Sequence, residues 1–452
     1  MNAKPMMTAL LGLSIAAIFP ACGDDEADNG GDDTQGGGGS GGSTSKGGNT
    51  SEGGNTSEGG SASGGEASGG ESTGGDGSGG EAGGGTVATL SDCDVDDGMC
   101  IFRHDTFGDE QLWTDTLRLN ELVMTLTPTD ALGVGLKVDA EAVPADVLAS
   151  ADLEDAATTV ALLELDAVLG IRAIVEDGTV TRIGITCALC HSTVDDSAAP
   201  GIGVRQDGWP NRDLDPGAII ALTPGVGALA EALDVPAEDA LAALNSWGPG
   251  YYDARFNQDG ISAPVLIPPA YGLADVELET YTGDGPVTYW NNYVAVTQMG
   301  GQGSFEDERI GVSITADPDL VTPKLPALAE YQFSLLKPEP EEGSYDVDAA
   351  ADGQALFEGS AMCSTCHAGE TFTDAPTLHD PADLGLDELH AERSATGMYR
   401  TTPLRGLATH PPYFHDGSAA TLEDVVDHYD TQLDLNLTNP EKDDLVEYLK
   451  SL

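Results

Sequence analysis

The chain has 452 residues and a formal net charge of −59, from 77 acidic and 18 basic side chains. Such a charge repels polyanions, which excludes nucleic acid and anionic lipid surfaces as partners. It favours solubility and a basic redox protein as partner, with a generally acidic secreted surface as the plainer explanation.

Residues 1–22 read as a signal sequence. Lys4 gives a weak positive start, Met6 to Ile18 is mostly apolar, and the stretch is too short to span a bilayer comfortably. Cys22-Gly23-Asp24-Asp25 is similar to a bacterial lipoprotein cleavage site, although Phe19 and Pro20 depart from the usual pattern. The expected location is therefore the periplasm or cell envelope, with a lipid anchor at Cys22 as the sole membrane contact; plain secretion is the alternative. Residues 23–88 are Gly, Ser, Thr and acidic residues that cannot bury enough surface to fold. As a flexible tether, roughly 66 residues span about 45 Å.

About 364 residues follow, enough for two domains with real cores. Cys93 and Cys100 are expected to form a disulfide in an oxidising compartment, free thiols being the alternative. Asp105 to Leu126 reads as helical. Ile171–Val175 and Val180–Ile185 flank Asp177-Gly178 and read as a β-hairpin. That hairpin delivers the chain to Cys187-Ala-Leu-Cys190-His191. A second pentad, Cys363-Ser-Thr-Cys366-His367, follows later. Cys-x-x-Cys-His is the attachment signature of c-type haem. Two thiols meet two vinyl groups of one porphyrin, and the next residue places an imidazole under the iron. Zinc sites usually group four ligands, and a redox dithiol belongs in another context. The expected cofactors are two covalently bound c-type haems, with His191 and His367 as iron ligands.

Between the pentads, Ala218 to Leu244 reads as helices broken near Pro224 and Pro236. Lys337-Pro-Glu-Pro-Glu-Glu-Gly marks a boundary near residues 338–344. Ala349 to Phe357 is a short helical pattern. At the C-terminus Pro440 suits a first helical turn, and Leu445, Val446, Tyr448 and Leu449 share one face. The expected fold is mainly α: two cytochrome c-like haem domains, residues 89–340 and 341–452, the first enlarged with a few short strands. His104, His379 and His390 are expected at the surface or hydrogen-bonded.

Tyr399-Arg-Thr-Thr-Pro-Leu-Arg405-Gly-Leu, Pro411-Pro-Tyr-Phe-His415-Asp-Gly-Ser and Ala420-Thr-Leu-Glu423 complete the pattern. With the two pentads, these segments make residues 160–452 resemble the bacterial di-haem cytochrome c peroxidase family. That family includes the methylamine-utilisation enzyme that makes a tryptophan-derived cofactor. The resemblance implies His191 and His367 as proximal ligands, Arg405 at haem propionates and His415 near the inter-haem region. It also implies a calcium ion on carbonyls of His410 and Pro412. The sixth ligand of the second haem would be Tyr429, His428 or Met398. Trp290 matches the family's inter-haem tryptophan. The family's Asp-Gly-Arg is absent, Glu306 and Glu308 are nearby but unaligned, and no acidic residue clearly replaces the peroxide-cleaving acid. The haem-dependent rubber oxygenase branch fits this stretch better, with Trp290 and Phe305 over the first haem. Trp247 to Phe256 and Phe107 to Trp113 are aromatic segments that line the same haem or simply pack in the core. Met299 is a candidate to close the first iron. Three function classes follow: a redox enzyme using a small oxidant such as peroxide, an oxygenase using O2 on an apolar substrate, or a two-haem electron carrier.

Overall fold

In a computed structural model the described residues are 90–452 except 92. The signal sequence and tether lie outside them. The architecture is mainly helical, with six short two-stranded ribbons among the described residues. No described helix is long and apolar enough to cross a membrane.

Cys93 and Cys100 are disulfide-bonded, with Cα atoms 5.6 Å apart. The bond enters helix Gly98–His104, which Asp97 caps by accepting from the Cys100 amide. This helix packs so closely on Leu325–Ser334 that a side chain at Gly98 would meet the Ala327 carbonyl. The helix expected over residues 105–126 is broken instead. The Asp105 carboxylate accepts from the amide of Phe107, and Phe107 and Arg118 adopt left-handed backbone conformations. Short polar side chains that bond nearby amides compete with helical hydrogen bonds. What remains is a short π-helical turn at Gln111–Thr116 and a helix at Leu119–Val123.

The hairpin forms as its sequence predicts. Ile171–Glu176 pairs antiparallel with Thr179–Ile185. Asp177 and Gly178 turn the chain with positive φ at both positions, the backbone a two-residue I′ turn demands. Helices Pro216–Leu222, Val226–Ala232 and Ala237–Trp247 follow, interrupted at Pro224 and Pro236. Helix Val287–Thr297 then carries Trp290 and Tyr293. Buried side chains from Ile101 to Leu328 form one hydrophobic core.

A second core runs from Phe357 to Leu449. It is built from helices Val347–Glu358, Leu422–Gln432 and Asn439–Lys450. Thr438 and Glu441 cap the last helix reciprocally, with Pro440 in its first turn. Gly353 lets the first and last of these helices touch backbone to backbone: a Cβ there would lie 2.0 Å from the Asp444 carbonyl oxygen.

Candidate functional site

Each pentad histidine is held by one backbone bond. His191 Nδ1 lies 3.1 Å from the Pro268 carbonyl, and His367 Nδ1 lies 3.1 Å from the Phe372 carbonyl. A carbonyl only accepts, so in both rings Nδ1 carries the hydrogen and Nε2 keeps its lone pair. This is the second-shell arrangement that orients an imidazole for metal ligation. Burial lowers the pKa of both, His191 to about 4. Both are therefore neutral bases near pH 7.

Local structure sets the pentads. At the first, the Gly208 amide donates to the His191 carbonyl and the Asn211 amide to that of Cys190. Gly170 takes positive φ and sits directly against Leu189, where a Cβ would clash with backbone. At the second, Met362 adopts a left-handed conformation before the turn Cys363–Thr365. Burial pushes the thiols of Cys187 and Cys190 up to about 12 and that of Cys363 up to about 11. Such surroundings suit uncharged thioethers, and the donor set fits covalent haem at both places.

One continuous cavity of about 600 Å³ reaches both pentads. Trp290, Arg405, His415 and Tyr429 are on its wall. The Trp290 indole donates to the Glu279 carbonyl at 3.1 Å. Arg405 donates to the carbonyls of Gly272 and Ala274 and makes no ion pair among the described residues. Tyr429 is enclosed, and burial pushes its phenol up to about 12, with the second pentad's cysteines also raising it.

Three expected residues are not on the wall. Phe305 packs against Tyr289 and Tyr293 with ring centroids 5.3 Å apart, in a strand paired to Val312–Ile314. His428 Nε2 is bonded to the Leu384 carbonyl at 2.9 Å, and Met398 likewise stays off the wall. The carbonyl of His410, expected to face calcium, accepts from Arg212 at 3.2 Å. A guanidinium bonded there opposes a dication, so the His410 carbonyl does not suit calcium. Met299 is buried and does line the cavity.

The wall also holds residues that no motif marked. Glu279 accepts from Arg400 at 3.3 Å, across 121 positions of chain, and burial pushes its carboxyl up to about 7. His390 is almost fully buried and bonded to His415. Burial also lowers His410 and His415 to about 4. Only the folded chain brings these groups together; a lone His or Glu in a loop carries no periodic or spacing signal.

A covalent-haem pentad between two packed helices defines the second region as a cytochrome c domain, and residues 350–452 match the cytochrome c family. The chain is 38% identical over 119 residues to the methylamine utilization protein MauG of Methylorubrum extorquens, covering 23% of this chain and 33% of that protein. It is 28% identical over 158 residues to MauG of Methylophilus methylotrophus, covering 28% and 45%. It is 30% identical over 149 residues to the cytochrome-c peroxidase IdrP1 of Denitromonas iodatirespirans, covering 23% and 40%. The chain thus spans a third to under half the length of these curated relatives. The relatives it resembles are thus MauG proteins and a cytochrome-c peroxidase, and its residues 350–452 match the cytochrome c family.

Proposed function

We propose that this chain is an exported redox enzyme, lipid-anchored at Cys22, that carries two covalently bound haems in one cavity. Two haems held there would supply electron transfer and reaction with a small oxidant such as peroxide, with a small basic redox protein as the electron donor. The single observation behind this reading is the shared cavity, reached by two histidines that are each oriented by a carbonyl.

Bound haem supplies the electron storage and the oxidant chemistry. The chain's own residues do the rest. Cys187, Cys190, Cys363 and Cys366 fix the two groups, and His191 and His367 present Nε2. Arg405, a cation without a carboxylate partner among the described residues, neutralises a haem carboxylate. Trp290 is on the cavity wall, packed against the first core. Tyr429, on the cavity wall beside the second pentad's cysteines, would be the further ligand of the second haem, since His428 and Met398 lie off the wall.

The oxygenase reading loses Phe305, which packs behind the wall. The carrier reading gains one observation, because Met299 is buried at the cavity. Electron paramagnetic resonance of the ferric holo-protein separates these readings. The expected spectrum has one high-spin and one low-spin haem, and peroxide changes the high-spin signal. Two low-spin haems inert to peroxide would establish a carrier instead. Tyr429→Phe is expected to change the low-spin signal and His428→Phe to leave it; the reverse pattern would move the ligand to His428.

A further inference from the structure

We infer that Tyr281, His390 and His415 form a preset proton-accepting site on the cavity wall, in which His390 leaves Nδ1 of His415 as the one bare nitrogen. The inference deepens the redox reading above and rests on it for its purpose. Its geometry stands independently.

The polarity follows from a carbonyl. His390 Nε2 lies 3.1 Å from the Ala263 carbonyl oxygen, which only accepts. In the neutral ring Nε2 of His390 therefore holds the hydrogen and Nδ1 is a lone pair. His390 Nδ1 faces Nε2 of His415 at 3.1 Å. Two lone pairs cannot share that contact, so His415 Nε2 carries a hydrogen and donates it. Tyr399 supports the same assignment. Its hydroxyl donates to the Asp387 carbonyl, which leaves its oxygen to accept from His415 Nε2, 3.4 Å away. Nδ1 of His415 is then unprotonated.

Packing fixes the ring in that state. Tyr281 stacks on His415 at 4.6 Å with 16° between planes, and His390 meets the same ring nearly at a right angle. The backbone adds a link to the first pentad. The His415 carbonyl accepts from Leu266, two residues before the Pro268 carbonyl that orients His191.

The charged and titratable groups around the pair are Tyr281, Tyr399, Asp253, Asp387, Arg393 and Asp416. Burial and the facing ring keep His415 neutral at rest. Peroxide in the cavity that His415 lines would lose one proton to Nδ1 of His415, leaving hydroperoxide and an imidazolium. The Nε2 hydrogen stays bonded to His390, and no electron moves in this step. The nearby carboxylates of Asp416 and then Asp387 stabilise the new charge. A positioned base of this kind is what proton-coupled chemistry in an apolar enclosure requires.

His390 is thus a positioning residue, and the test reads the tautomer directly. Nitrogen-15 histidine NMR of the reduced, carbon monoxide-saturated holo-protein is compared for wild type, His390→Gln and His390→Leu. Glutamine keeps one donor and one acceptor; leucine keeps neither. The expected result is a single Nε2-protonated His415 in wild type and His390→Gln, with the other tautomer rising several-fold in His390→Leu. The pH profile of the peroxide reaction should move in His390→Leu alone. A wild-type His415 protonated at Nδ1, or tautomers unchanged in His390→Leu, would overturn the inference. A wild-type protein with the expected tautomer but no reaction with peroxide would keep this site and sink the proposed function.

Discussion

The two pentad-bearing regions are built by different routes. The second is local: one helix before the pentad and one at the C-terminus close on each other through Gly353, within about a hundred residues. The first is assembled from afar. Its pentad is held by Gly170, Gly208, Asn211 and Pro268, and its surroundings extend to Trp113 and Met299. Enclosure differs as well. Burial pushes both thiols of the first pentad up to about 12, whereas for Cys366 it raises the thiol less.

The contrast can be broken most severely at the thioethers. Cys363→Ser with Cys366→Ser is expected to lower the pyridine haemochrome count from two haems per chain to one, with the first site's spectrum kept. Cys187→Ser with Cys190→Ser is expected to do the converse and to destabilise the larger core. Equal loss of both haems in either double variant would show that the sites do not load separately.

A smaller effect tests the local region alone. Gly353→Ala pushes a methyl group into the Asp444 carbonyl, and overpacking of this kind costs about 3 kcal/mol. Denaturant unfolding of the holo-protein, followed at the second haem, should show it. An unchanged midpoint would mean that the two helices separate without cost.

The mildest effect sharpens the boundary between the regions. Glu279 has its carboxyl raised from 4.5 to about 7 by burial. Folded protein then holds this proton over a pH range where the unfolded chain has lost it, and stability falls as pH rises from 4.5 to about 7. Glu279→Gln is expected to remove that slope, worth roughly 3 kcal/mol at neutral pH. His410 and His415 act with the opposite sign. Their pKa values are depressed from 6.5 to about 4, so stability is lost as pH falls through that window, and the variant should retain this acid limb. Melting temperatures across pH 4 to 8 check both limbs.

Much of this was legible in the chain before folding, for identifiable reasons. The hairpin was announced by Asp177-Gly178, the middle helices by Pro224 and Pro236, and the last helix by Pro440 and its apolar face. Each is a local rule. The pentads were legible because covalent attachment needs a set spacing. Asp105 to Leu126 misled, since apolar spacing alone does not reveal an aspartate that captures its own backbone. Phe305 misled for another reason: nearness to Trp290 in sequence says nothing about which side of a helix a following strand takes. Glu279 with Arg400, and His390 with His415, meet only through tertiary packing.

The shared cavity has a consequence for how the molecule is made. Its walls come from both cores, so neither half can close properly around a missing porphyrin without leaving a hollow that packing forces oppose. Maturation and folding are thereby coupled, and a chain loaded at one pentad alone should be looser, shorter-lived and more readily cut by proteases.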